Sequence, residues 1–442
     1  MPTSIGFAPG PRGLPYLGVL PQLRRDAPGL FVWARENFGD FVTLPVAGRR
    51  ILLLSDPASV KHVMLDNARN YRKGRGIQKI RELLGNGLLN SEGDFWLRQR
   101  RLAQPAFHRE RLARMALGMQ QVTEEQWLPQ LHGAAHSGAP LDLGSGMTSL
   151  TLSVVARALF GAQIAPEDLK AVERSMPAVL DRGIRRTRAV SDRPPLPTPR
   201  ERQAQRAAAE LDRVVHSLIE ARRAGPEGGD DLLGMLIEAT GEDGRMDDQQ
   251  LRDEVMTLFL AGHETTASLL TSLFWFLGDH PAVLARVEAE LDAAPGIGAD
   301  SVRTLPYLMA CIHEALRLSP PAWTIPREAL QEDQLLGYRV TPGSAVMISP
   351  YVIHRHPDFW EEPLQFRPER FLEKGERHSH AYLPFGAGPR GCIGNNFALM
   401  EAAIIAGLSL KHHRLTPLGP LRLQPSVTLR PAGPALMRVT AR

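Results

Sequence analysis

The sequence predicts a mainly α-helical fold with a small β-sheet region, and three observations carry that expectation. Apolar residues recur at helical spacing from about 111 to 293. Short alternating runs rich in β-branched and aromatic residues lie on either side of this block, first in Phe41 to Pro45 and Arg50 to Leu54, later near 322 to 348, Ser426 to Leu429 and Leu436 to Val439. A glycine-rich loop around Cys392 then leads into IGNNFALMEAAIIAGLSL, an apolar run that reads as a buried helix.

In chain order, residues 28 to 38 read as helix, and Ala47-Gly48 is the turn between the first two strands. Helices follow near 57 to 67 and 94 to 103. Two stretches, Asn70 to Asn90 and Asp181 to Gln205, show no clear period and read as irregular. The longest helix runs from about 247 to 279, with Asp247-Asp248 suited to its positive N-terminal end and Pro281 just beyond its stop. The 442 residues would by length suggest two or three domains, yet no linker or internal repeat divides them. The Pro-rich patch Pro194 to Pro199 is short, so residues 1–442 are expected to form one domain.

The loop Phe385-Gly386-Ala387-Gly388-Pro389-Arg390-Gly391-Cys392-Ile393-Gly394 carries the chemistry. Gly388, Gly391 and Gly394 allow left-handed or crowded backbone, so that amides can point at a sulfur and stabilise a thiolate. Phe385 can shield that sulfur, and Arg390 can offer its guanidinium fork to a carboxylate such as a haem propionate. A lone cysteine is more often a small core hydrophobe. Ten consecutive residues with each special position filled reverse those odds.

Ala261-Gly262-His263-Glu264-Thr265-Thr266 interrupts the longest helix with residues that are poor helix formers, where a groove is expected to open. Ala261 and Gly262 would let a flat macrocycle approach, and Glu264 and Thr265 supply an acid and an alcohol for proton delivery. Glu314 and Arg317 share one helix face at i, i+3 spacing, a weak signal by itself.

The string around Cys392 matches F-x-x-G-x-R-x-C-x-G, and with these other motifs in this order the chain resembles the cytochrome P450 family of haem-thiolate monooxygenases, from about Pro9 to Arg438. The resemblance implies haem b with Cys392 as axial metal ligand, lying between the long helix and the loop at 385–394. It implies oxygen activation at Glu264 and Thr265, and a buried structural cluster of Glu314, Arg317 and Arg370. Trp96, Arg100 and Arg327 would join Arg390 at the propionates. The implied reaction inserts one oxygen atom of O2 into a C–H bond of a lipophilic substrate. A haem-thiolate sensor would not need Glu264 beside Thr265, and a peroxide-using peroxygenase would usually supply its acid differently.

The runs Leu316 to Trp323 and Ser349 to Arg355 look like those of bacterial members that hydroxylate carotenoid rings. Fatty-acid hydroxylation is the runner-up, with Arg72, Lys73 or Arg75 as carboxylate anchors, followed by terpenoid or polyketide tailoring. Met256 to Leu260, Ala322 to Ile325 and Val427 to Thr428 are the candidate pocket positions, all apolar or nearly so. The family's wall and lid correspond to the two irregular stretches. Arginines 182, 185, 186, 188, 193 and 200 in the second would let a lid touch anionic lipid, although a solvated loop is the plainer reading.

The charge of +4 is mild and gives no ground for a nucleic-acid partner. Arg98, Arg101, Arg109, Arg111 and Arg114 form a basic stretch suited to an acidic electron donor, a ferredoxin with its reductase or a flavodoxin-like protein, because no flavin or iron-sulfur domain is visible. Cys311 is expected in the core, and two cysteines of which one holds iron suit the cytoplasm. The apolar stretch after Gly13 is too short, and too rich in proline, for a membrane anchor.

Overall fold

The computed structural model describes residues 6–161, 164–187, 197–225, 231–238, 246–373, 375 and 378–442. Its axis is the Asp248–Asp279 helix, started where the sequence expects it: Asp247 is the N-cap, its side chain accepting the Gln250 N–H at 2.7 Å. Leu251, Val255, Phe259, Leu270 and Phe274 are fully or almost fully buried along it. Its main partner is the Leu143–Phe160 helix. That helix is long and apolar enough to cross a membrane, yet Leu152, Val154, Val155 and Phe160 are buried in the protein core. The Asn395–His412 helix packs on the central helix as well, and Ala402 to Ala406 are wholly buried.

Beside the helices lies a five-stranded sheet, in the spatial order Phe41–Val46, Arg49–Leu54, Ala345–Ile348, Ile325–Ala329 and Tyr71–Lys73. Arg49–Leu54 runs parallel to Ala345–Ile348, with Ile51 opposite Ala345; the other pairs are antiparallel. The hairpin turn is at Ala47-Gly48, where both residues have positive φ.

Three elements differ from expectation. Asn70 to Asn90 is not irregular throughout: it holds the edge strand Tyr71–Lys73 and the Arg75–Leu84 helix. Both are short, and three residues give periodicity nothing to act on. Around the second stretch, Pro166–Thr187 and Pro199–Arg223 are helices, whereas residues 188–196, including Arg188 and Arg193, lie outside the described residues. The expected strand at Ser426 to Leu429 is a tight connection between Leu423–Pro425 and Leu429–Pro431.

The arginines of this second stretch join helices. Arg182 pairs with Glu201 at 2.6 Å, and Asp181 pairs with Arg185 at 3.0 Å and with Arg200 at 2.6 Å. Arg186 is buried. These contacts oppose the expectation of a basic surface turned to lipid.

Glu314 and Arg317, on the Pro306–Leu318 helix, are fully buried and bonded twice, at 2.7 and 2.8 Å. Arg370 reaches the same carboxylate at 3.1 Å. Cys311 is buried on the same helix.

Candidate active site

The Cys392 loop is shaped by two glycines. Gly386 and Gly388 hold φ of 68° and 66°, a region costly for any residue with a Cβ. At Gly388 a Cβ would also overlap the Met64 carbonyl. Gly391 and Gly394 have φ of −58° and −93°, so of the three glycines expected to take left-handed or crowded backbone Gly388 is left-handed, and the other left-handed turn falls at Gly386. The Cys392 N–H donates to the Phe385 carbonyl at 2.8 Å, closing the loop. The partly buried Phe385 packs on the core.

Solvent reaches Cys392, while enough protein surrounds it that burial pushes its thiol up. The Gly394 N–H and the positive charge of Arg100 act the other way, toward thiolate. Arg100 donates to the Gly391 carbonyl at 2.7 Å, so it braces the loop itself.

A cation cluster lies beside the loop. Arg390 stacks at 3.8 Å over the Trp96 ring, donates to the Ser91 carbonyl at 2.9 Å and pairs with Glu92. Arg327 is more than nine-tenths buried; desolvation and Arg390 pull it down to about 10. Lys73, also buried, is held at about 7 by desolvation and by Arg390. Lys73 and Arg327 are cross-strand partners. Arg390, Arg327 and Lys73 thus crowd around the Glu92 carboxylate, which is too little negative charge to balance them. A ligand bringing two carboxylates would relieve that imbalance.

The sequence missed Glu92 and misplaced Lys73. In a strand, neighbouring side chains take opposite faces. Recognising Tyr71–Lys73 as a strand would have separated Lys73 from Arg72. Arg72 pairs with Glu328, which also accepts from Arg75 at 3.1 Å, so neither arginine is an open carboxylate anchor.

On the central helix, Ala261 is exposed amid buried neighbours, facing open space. Gly262 turns instead toward the Leu143–Phe160 helix, where a Cβ would stand 3.0 Å from Val155. Its small size therefore serves helix packing, and the helix stays α-helical through this turn where a groove was expected. The Glu264 Oε1 accepts from the Thr428 hydroxyl at 2.7 Å, and burial raises its carboxyl. The Thr265 hydroxyl donates to the Ala261 carbonyl at 2.8 Å. The expected acid–alcohol pair is thus adjacent in sequence but separately bonded, and the alcohol that touches Glu264 comes from the 426–428 connection.

A Cytochrome P450 family model matches residues 8–435. The chain is 36% identical over 427 residues to cyclooctat-9-en-7-ol 5-monooxygenase of Streptomyces melanosporofaciens, covering 94% of this chain and 91% of that protein. It is 31% identical over 458 residues to pentalenene oxygenase of Streptomyces avermitilis, at 99% and 97% coverage, and 28% identical over 408 residues to Protein LUTEIN DEFICIENT 5 of Arabidopsis thaliana, at 85% and 67%. The chain belongs to the cytochrome P450 family.

It is therefore an oxygen-incorporating oxidoreductase of a family that uses haem with an axial cysteine thiolate, together with O2, a lipophilic substrate and a redox partner. The residues fit that cofactor. Cys392 is accessible in a recess, Ala261 is exposed on an otherwise buried helix, and the under-neutralised cations suit two propionates.

Glu401, nine residues beyond Cys392, escaped the sequence reading because nothing local marks it. It is fully buried, and neither oxygen makes a hydrogen bond of ordinary geometry. Burial holds its carboxyl far above the usual range, offset partly by the Thr266 hydroxyl. A group whose folded pKa is raised contributes stability that is full below its unfolded value of 4.5 and lost as pH rises. Thermal unfolding of this P450 and of Glu401→Gln between about pH 4 and 8 should show the difference moving in the variant's favour as pH rises.

Proposed function

We propose that this cytochrome P450 hydroxylates a cyclic isoprenoid, a terpenoid skeleton or a carotenoid ring, with Cys392 as axial ligand. The observation that favours this over a fatty acid is that Arg72 and Arg75 are both paired with Glu328 and Lys73 is bonded to the Leu88 and Leu89 carbonyls, so each candidate carboxylate anchor already has a partner. Relatives named for cyclooctat-9-en-7-ol and pentalenene support it, as does the one named for lutein deficiency. Leu258, Phe259 and Leu260 are buried on the central helix one turn before Ala261–Thr265, and Val427 packs near Gly183. An apolar ring system finds apolar neighbours there.

Arg327, Arg390 and Lys73 would hold the propionates of a bound haem, with Trp96 supporting Arg390, and Arg100 and Gly394 would steady the thiolate loop. Bound haem supplies the activation of O2 by which one oxygen atom enters a C–H bond. Burial favours the neutral form of Glu264, and the Thr428 hydroxyl donates to its Oε1. The Thr265 hydroxyl donates to the Ala261 carbonyl one turn back on the same helix. Electrons come from an acidic ferredoxin with its reductase, or from a flavodoxin-like protein, docking near the exposed Arg98, Arg101 and Arg109. We read residues 1–442 as one domain working in the cytoplasm.

Spin-state titration with cyclic terpene alcohols, β-carotene and a long-chain fatty acid tests the substrate. A shift with the fatty acid alone overturns the reading. Thr265→Ala should lower product formed per electron consumed, and Glu264→Gln should slow turnover by roughly 10²-fold, the scale of one general acid. Full coupling and full rate in both would remove the proton-handling role.

A further inference from the structure

The central helix does not itself supply the donor that meets Glu264. That donor is the Thr428 hydroxyl, 2.7 Å from Oε1, and it has no second partner among the described residues. Thr428 belongs to a turn rather than to a helix or sheet core. Leu423–Pro425 and Leu429–Pro431 pair antiparallel with Pro425 opposite Leu429, so the three residues Ser426, Val427 and Thr428 close the hairpin. Ser426 and Thr428 are buried, whereas Val427 is partly exposed and packs near Gly183 of the Pro166–Thr187 helix.

The turn is pinned on both sides of Thr428 to chain that is not part of the central helix. The Trp323 indole N–H donates to the Ser426 carbonyl at 3.2 Å, and the Leu429 N–H donates to the Pro321 carbonyl at 2.9 Å. Within the turn, the Ser426 N–H donates to the Thr428 carbonyl at 2.9 Å. Trp323 is a firm post for this: it is buried and stacked on Phe31 with ring centroids 5.9 Å apart, and its own carbonyl accepts the Ser349 hydroxyl at 3.0 Å. A glutamate side chain turns about three bonds and loses that freedom only where something selects one rotamer. A hydroxyl on a pinned turn makes that selection, because it cannot follow the carboxyl if the side chain swings. Donation to Oε1 also makes the two oxygens unequal, since an oxygen that accepts is disfavoured as the site of the proton. The hairpin further favours the carboxylate through the positive charge of Arg430, against the burial that favours the neutral acid.

We propose that Thr428 is a positioning residue for proton handling: from a turn pinned to the 321–323 chain, its hydroxyl holds the Glu264 carboxyl in one rotamer and leaves Oε2 as the oxygen that carries the proton. Thr428 keeps its own proton throughout, so it places the acid and relays nothing. The proposal rests on the reading of Glu264 as the proton-handling acid, though the bond between the two does not.

The test compares Thr428→Val, which removes the hydroxyl at nearly constant volume, with Thr428→Ser, which keeps it. Both are made in the haem-loaded full chain. The first readout is infrared titration of the Glu264 carboxyl stretch, isolated by subtracting the Glu264→Gln spectrum. Thr428→Val should move that band to higher wavenumber, broaden it as rotamers multiply, and raise its titration midpoint, because one group favouring the carboxylate is gone. The second readout is product formed per electron consumed, with whichever of the cyclic terpene alcohols or β-carotene gives the spin-state shift. Thr428→Val should lower it roughly fivefold, the scale of one hydrogen bond, while the affinity read from the spin-state shift stays at the parent's value. Thr428→Ser should stay close to the parent in both readouts. An unchanged carboxyl band in Thr428→Val overturns the bond, and a shifted band with unchanged coupling overturns the positioning role. Equal loss of coupling in the serine variant also overturns it, since the hydroxyl would then not be what matters. Glu264→Gln with the parent's coupling and rate would instead sink the reading of Glu264 itself, and the infrared band separates that outcome by reporting the Thr428 bond without turnover.

Discussion

Arg317→Ala should abolish accumulation of folded, haem-loaded protein. The Arg317 side chain has no exposed surface, and all five of its N–H donors are used. Nε and one terminal nitrogen grip the two oxygens of Glu314 at 2.7 and 2.8 Å. The remaining donors go to the carbonyls of His354 at 2.7 Å, Pro363 at 2.6 Å and Gln365 at 3.0 Å. Those carbonyls belong to chain between the sheet and the cysteine loop, so one side chain holds the approach to Cys392. Truncation leaves three carbonyls, the buried one of His354 among them, without this donor, and Glu314 with Arg370 as its remaining guanidinium. Breaking a buried ion pair costs about 3–5 kcal/mol, against a total stability of about 5–15 kcal/mol. Arg317→Lys should fail too, because an ammonium cannot span five acceptors in one plane. Soluble yield and thermal unfolding measure this; a variant within about 1 kcal/mol of the parent would refute the cluster's structural role.

Cys392→Ser should have the opposite profile, a sound fold without the chemistry. Cys392 lies in the loop where solvent reaches it, outside the apolar clusters, so the exchange should alter stability by no more than about 1 kcal/mol. A serine hydroxyl is a far weaker acid than a thiol, so it would not supply the thiolate that Arg100 and the Gly394 amide favour. The dithionite-reduced, CO-treated parent should show the red-shifted Soret band of thiolate ligation, and the variant should lose both that band and hydroxylation. A variant that kept the band would exclude Cys392 as the ligand.

These two predictions draw on residues the sequence displayed openly. Glycines before a cysteine, an acid and an arginine three apart, and a 32-residue helix capped by Asp247 are local patterns, and local patterns follow from backbone geometry that neighbours in the chain decide. Even there the division was imperfect. The glycine requirement was legible, but which glycines are left-handed was not, because Gly388 is dictated by the distant Met64 carbonyl.

What only the tertiary structure decided are the partners. Thr428 stands 164 residues from the Glu264 it contacts, and Asp253 lies 167 residues from the Asn86 amide it accepts. Lys73 stood with Arg72 and Arg75 as a candidate carboxylate anchor until its strand was paired with Arg327. Gly262 looked like space for a cofactor until the neighbouring helix brought Val155 to it. The sequence by itself determined the helix-rich fold and the glycine-rich cysteine loop, and its resemblance to the family implied the Glu-Arg-Arg cluster. Packing decided which groups are desolvated and which meet, and desolvation is what favours the neutral forms of Glu264, Lys73 and Glu401.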